Sequence, residues 1–155
     1  MTKRNQVITR CMAMVAVLAS SQSAHAVLGG SAETITADRK ALQAVHRATT
    51  PHNGYTVEEV VSDATTVREY VSPSGVVFGI AWNGYVHPDL ALLLGSYWDE
   101  YSAARRKAAR ISGRTRQQLA TDNIVVEKWG HMRNLQGRAY VPSLVPAGVC
   151  IDEIK

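Results

Sequence analysis

The sequence predicts an α+β domain: an antiparallel sheet of about five strands, a three-stranded meander followed by a hairpin, with one long helix packed on it and a short N-terminal helix. Three observations carry this. Tyr55 to Ser62 and Thr66 to Ser72 are runs rich in β-branched and aromatic residues, joined by the short polar connection Ser62-Asp63-Ala64-Thr65. Val76 to Trp82 is apolar on both faces. Directly after it, leucines recur at helical spacing behind a proline. The stretch from Val67 to Tyr101 thus holds strand, turn, strand and helix start, and the rest of the chain is expected to pack onto it.

Taken in order, Val27 to Gly30 reads as a flexible lead-in. Ser31 to Arg47 contains good helix formers with Ile35, Ala41, Leu42 and Val45 as a partial stripe, and Thr34 or Thr36 as a cap, which predicts the short helix. Thr49 to Gly54 is a loop by its Pro51 and Asn53-Gly54. The first two strands form a hairpin. Ser72-Pro73-Ser74-Gly75 is the next turn, with proline at the second position and glycine at a late position of positive φ.

In the third strand Val76, Phe78, Ile80 and Trp82 alternate with Val77, Gly79 and Ala81, so one face is bulky and the other admits a helix or backbone closely. Neither face is polar, so a central, covered strand is expected. Asn83-Gly84 ends the meander. His87-Pro88-Asp89 starts a helix, with proline in the first turn and a carboxylate at the positive helix end. Leu90, Leu93, Leu94, Tyr97, Tyr101 and Ala104 share one face, and Gly95 interrupts it. The helix is expected to run through Ala109. Asn123 to Trp129 and Met132 to Val141 make the final hairpin, and from about residue 142 an irregular tail crosses the surface.

The first 26 residues are an export address. Lys3, Arg4 and Arg10 form a positive head, Cys11 to Ala19 is a short apolar core, and Ala24-His25-Ala26 is a small-x-small cleavage pattern, placing the cut after Ala26. A nine-residue apolar run is too short to span a bilayer, and no membrane span follows it. The expectation is a periplasmic or secreted single domain over residues 27–155. The cut also changes the charge: three of the 17 basic residues and none of the 13 acidic ones precede it, leaving a net of +1. A global affinity for nucleic acid is therefore not expected. Only Cys150 remains, so no intramolecular disulfide can form and the fold stands on its apolar core. An intermolecular disulfide through Cys150 stays open.

Chemistry-bearing residues are sparse. His46, His52, His87 and His131 fall in no ligand spacing, so neither a metal nor a cofactor is expected. There is no nucleophile elbow and no phosphate-binding glycine loop. A catalytic reading has Glu69, His87 and His131 to work with. Carboxylates on half-exposed strands more often pair with cations such as Arg68 or Lys128. Arg105 to Arg116 carries six basic residues in twelve, with Arg105, Arg106 and Arg110 as candidates for contact with an anionic surface. The plainer account is that cations at a helix C-terminus favour its dipole. Trp82, Trp98 and Trp129, with nearby tyrosines, are core residues or the lining of a sugar- or peptide-binding groove. Trp98, off the leucine stripe beside Asp99 and Glu100, is the exposed contact candidate.

Several blocks carry a resemblance. Val67-Arg68-Glu69-Tyr70-Val71-Ser72-Pro73 is followed by Gly75-Val76-Val77-Phe78, Trp82, Pro88-Asp89-Leu90 and Leu94-Gly95-Ser96-Tyr97. Later come His131-Met132-Arg133, Gly137 to Pro142 and Pro146-Ala147-Gly148-Val149. With the leader they resemble a family of exported proteobacterial proteins, common in Burkholderia-like organisms and catalogued only as a domain of unknown function. That resemblance implies no activity and no catalytic residues. The functional expectation is a non-enzymatic exported binding or accessory module acting on a protein partner or envelope component. The third strand, the helix at Pro88 and the His131 turn are where its surface is expected. The alternative is an envelope-directed, hydrolase-like enzyme.

Overall fold

Alternating apolar residues build the centre of the molecule as strands, and the turns between them fix their order. The computed structural model describes residues 28–31, 45–108 and 116–155. Among them are β1 (Val45–His52), β2 (Tyr55–Val61), β3 (Thr65–Val71), β4 (Val77–Gly84), β5 (Arg116–Ala120), β6 (Val125–His131) and β7 (Asn134–Tyr140). All seven join one antiparallel sheet in the order β1-β2-β3-β4-β7-β6-β5. The protein is mostly β, which corrects the expected five-stranded α+β domain with two helices.

Both additional strands lie at sheet edges, where half the ladder suffices and patterning is weak. β1 contains Pro51, which an edge strand tolerates. It pairs with β2 across Asn53-Gly54, with Gly54 at φ 86°, so that dipeptide is a two-residue hairpin turn rather than a loop. β5 emerges from the basic tract and buries only Leu119. The short helix expected over Ser31 to Arg47 is overturned at both ends, since Ser31 bridges Val76 and Val45 opens β1. Its residues 32–44 lie outside the described residues, as do the leader and Arg110.

The described residues contain one helical segment, residues 90–107. Asp89 caps it, its Oδ1 accepting from the Ala91 and Leu92 amides at 2.9 and 3.4 Å. α1 (Leu90–Leu94) breaks at Gly95 into a 3-10 turn (Gly95–Tyr97), and α2 (Trp98–Lys107) continues. Arg105, Arg106 and Lys107 fill the last turn, where they complement the dipole. None of the described helices is long and apolar enough to cross a membrane.

Each face of the sheet has its own core. On the first face Leu90, Leu93, Leu94 and Tyr101 seal Val67, Val77, Ile80, Trp82 and Val126. Leu28 joins them at 1% exposure, its amide bonded to the Leu93 carbonyl at 3.0 Å, so the lead-in is anchored. On the second face Tyr55, Tyr70, Phe78 and Tyr140 receive Ile154 from the C-terminal segment. That segment carries two 3-10 turns, Pro142–Leu144 and Ile151–Glu153. An irregularity in the β3–β4 register at Phe78 puts that ring on the second face with Ala81, while Val77 joins Ile80 and Trp82 on the first, which corrects the expected alternation of a bulky and a small face. Gly79 is what admits the segment, for a Cβ there would lie 3.0 Å from Ile154 Cδ1.

Candidate functional site

Register sorts the second face into rows. Val57, Tyr70, Gly79, Tyr140 and Val125 align across β2-β3-β4-β7-β6, and the C-terminal segment covers this apolar row. One step along the strands, Glu59, Arg68, Ala81, Arg138, Glu127 and Gln118 align. The next row holds Thr66, Asn83, Gln136, Trp129 and Arg116. A strand period of two places these polar residues on one face while Leu135, Gly137 and Ala139 meet the helix side.

The charged row is internally paired. Arg138 Nε donates to Glu127 Oε2 at 2.6 Å, and Arg116 Nη2 stands 3.6 Å from the same oxygen. Arg138 Nη1 also donates to the Ile151 and Ile154 carbonyls at 2.9 and 3.3 Å, tying the C-terminal segment to the sheet. Tyr70 adds to that tie, its hydroxyl donating to the Lys155 carbonyl and accepting from the Lys155 amide, both at 2.9 Å. Tyr55 donates to Glu153 Oε2 at 2.7 Å, and burial, followed by that carboxylate, pushes its phenol up to about 12. Burial likewise raises Tyr70 and Tyr140, so all three remain neutral donors at physiological pH.

Beyond the paired row a cavity of about 520 Å³ opens, within the range of small-molecule sites. Arg116, Trp129, His131, Asn134, Gln136 and Arg138 line it, and Ile154 and Lys155 form its remaining wall. The indole Nε1 of Trp129 donates to Gln136 Oε1 at 2.9 Å, and Gln136 Nε2 donates to Asn134 Oδ1 at 3.0 Å. This chain fixes the orientation of the ring. The Arg116 guanidinium lies 5.8 Å from the ring centroid. Arg116, Arg138 and Lys155 border the cavity; Glu127 pairs with both arginines, and the exposed Asp152 stands 3.7 Å from Arg138.

The residues singled out from sequence are dispersed. Glu69 is buried on the first face, opposite Ile80 and Glu58 in register, so the sheet separates it from His131 on the second. His131 lines the cavity. His87 precedes the helix beside a smaller hollow of about 210 Å³ and accepts the Trp82 indole N–H on Nδ1 at 2.9 Å. Trp98 is half-buried against the first core, its ring 5.8 Å from that of Tyr101, and Arg105 and Arg106 are exposed. Among the described residues no group of three or more His, Cys, Asp or Glu is placed to hold a metal ion. Sequence reading missed Arg138, Gln136 and Asn134. Their period of two on β7, opposite Trp129 and His131 on β6, was the available signal.

His87 carries a pH prediction. Partial burial, then the Lys128 charge, lowers its pKa below the ordinary 6.5, so the folded protein holds it neutral and Nδ1 stays an acceptor. With the folded value below the unfolded one, the stability it confers is fully present above about 6.5 and is lost as pH falls toward the folded value. Because the imidazole is largely exposed, that contribution, the loss of the Trp82 N–H bond included, is about 1 kcal/mol at most. The unfolding midpoint is expected to drop by a few degrees between pH 7 and 5, and a His87→Gln variant to flatten that drop. An identical drop in both proteins would remove His87 as its source.

A family model described as protein of unknown function (DUF2844) matches residues 24–154. No curated protein and no solved structure matches the chain.

Proposed function

Given that the chain belongs to this family of proteins of unknown function, DUF2844, we propose that it is an exported, non-enzymatic binding module whose ligand surface is the polar half of the second sheet face. The observation that carries this reading is the placement of the Trp129 ring, under the Arg116 guanidinium and beside Gln136, in a cavity of about 520 Å³. Aromatic plane, exposed guanidinium and fixed amides are the parts of a recognition site. Glu127, buried behind the lining arginines, is held by Arg138 at 2.6 Å and so serves to orient cations rather than to accept a substrate proton.

Export through residues 1–26 belongs to the same proposal. Leu28 sits in the core two residues beyond Ala26, so a cut after Ala26 keeps Leu28 and its bond to the Leu93 carbonyl on the mature side. Recovery from the periplasm with Val27 as amino terminus supports this part, and an uncut terminus sinks it. Arg105 and Arg106, exposed at the end of α2, extend the proposal to an anionic envelope surface.

Thermal-shift screening against small carboxylates, sulfates and sugars tests the site. A ligand at a hundred times its Kd stabilises by about 2.7 kcal/mol, on the order of 10 °C for a domain of this size. Hits are expected to shift the native protein and to lose most of that shift in Trp129→Ala and in Arg116→Ala. A screen whose hits ignore both substitutions removes the site.

A further inference from the structure

Resting on the reading of this face as a binding site, we infer that its ligand class is the acidic sugar, a uronate or short oligouronate, with a pyranose ring on Trp129 and its carboxylate on Arg116. The argument begins with which groups are committed. Trp129 has spent its only donor on Gln136 at 2.9 Å, so what it has to offer is its indole face, uncovered when the exposed Arg116 guanidinium lying over the ring turns to a ligand carboxylate. Such a face, electron-rich and flat, attracts the polarised C–H bonds of a sugar ring.

Arg116 is the loosely held cation. Its side chain is 64% exposed and 3.6 Å from Glu127, whereas Arg138 is 12% exposed and 2.6 Å from it. Glu127 therefore keeps its main partner when Arg116 turns to another carboxylate. An incoming carboxylate gains a charge-assisted bond without leaving a buried charge unpaired. Asn134, Gln136 and His131 line the remaining wall. Side chains that both donate and accept suit hydroxyl groups, which do the same.

Other anions use only part of this set. Inorganic phosphate has no use for the indole face. An aromatic carboxylate stacks and ion-pairs but brings no hydroxyl groups to the hydrogen-bonding capacity that Asn134, Gln136 and His131 still hold, so it uses fewer of the lining groups. The row from Asn83 through Gln136 and Trp129 to Arg116 crosses four strands, about 14 Å at the usual strand spacing, which gives room for more than one ring.

Titration calorimetry of the purified protein tests this. The probes are trimers of galacturonate, mannuronate and glucuronate, the uncharged trimers of the parent sugars, benzoate and inorganic phosphate. At least one oligouronate is expected to saturate the protein and its neutral counterpart to bind at least tenfold more weakly. Arg116→Ala and Trp129→Ala are each expected to weaken the oligouronate at least tenfold while the circular dichroism spectrum stays native. Equal binding of charged and neutral trimers overturns the carboxylate assignment. Benzoate or phosphate bound through Arg116 and Trp129, with every oligouronate inert, leaves the site standing and removes the acidic sugar. Failure of all probes, or binding indifferent to both substitutions, removes the sugar assignment and the site together.

Discussion

Gly137→Ala is expected to destabilise the protein by about 3 kcal/mol or more, the upper end of what overpacking a closed core costs. Gly137 lies on β7 directly opposite Trp82 of β4, and a Cβ there would stand 2.3 Å from Trp82 Cζ2 and 2.7 Å from the Glu127 carbonyl oxygen. Neither neighbour can yield cheaply. The indole is 2% exposed, packed in the helix-side core and anchored by its N–H on His87, while the carbonyl belongs to the central ladder. Gly75→Ala is the control: it has nothing within 4 Å, but its φ of 79° makes alanine strained by about 1 kcal/mol. Urea denaturation should separate the two by about 2 kcal/mol or more. Equal midpoints would mean that the Trp82 ring does not lie across β7.

Ile154→Ala should cost about 2–4 kcal/mol, the range for emptying a buried aliphatic site that cannot collapse. Ile154 is fully buried against Gly79, where the sheet has no side chain of its own to close the gap. Its neighbours are held by Tyr70, Tyr55 and Arg138, so the segment cannot slide to refill the hole. Ile151→Ala, at a half-buried position, should cost less than half as much. A loss below 1 kcal/mol for Ile154→Ala would show that the C-terminal segment does not seat on the sheet. Because Ile154 and Lys155 also wall the cavity, a loosened segment would widen it.

Those two substitutions mark where a linear reading stops. The meander, the Ser72 to Gly75 turn, the capped helix at Pro88-Asp89 and the last hairpin are local signals, each set by side chains within ten residues, and each lies within two residues of its expected place. β1 and β5 are not local. VHRATTPH and RQQLA have weak alternation because an edge strand is held by one neighbour and buries little, so pairing with β2 and β6 decides their state. The need for glycine at 137 shows only when Trp82, the residue that fills its place, is brought across from 55 residues away.

The same division runs through the site. His131 and Trp129 stood out as residue types, but Arg116 read as one more cation of a helix end, and Arg138 did not stand out at all. Register alone sets Arg116, Trp129 and Gln136 in one row and lays Arg138 against Glu127.

The chain by itself determined a meander with a covered central strand and a leucine-faced helix after Pro88. These follow from composition and from periods of 2 and 3.6, which act along the backbone. Only the tertiary structure decided that seven strands rather than about five share the sheet, that the C-terminal segment closes the second face, and that a cationic, tryptophan-floored cavity remains beside it. Each of those depends on which distant strands pair and in what register, and a one-residue slip would turn the whole row to the other face.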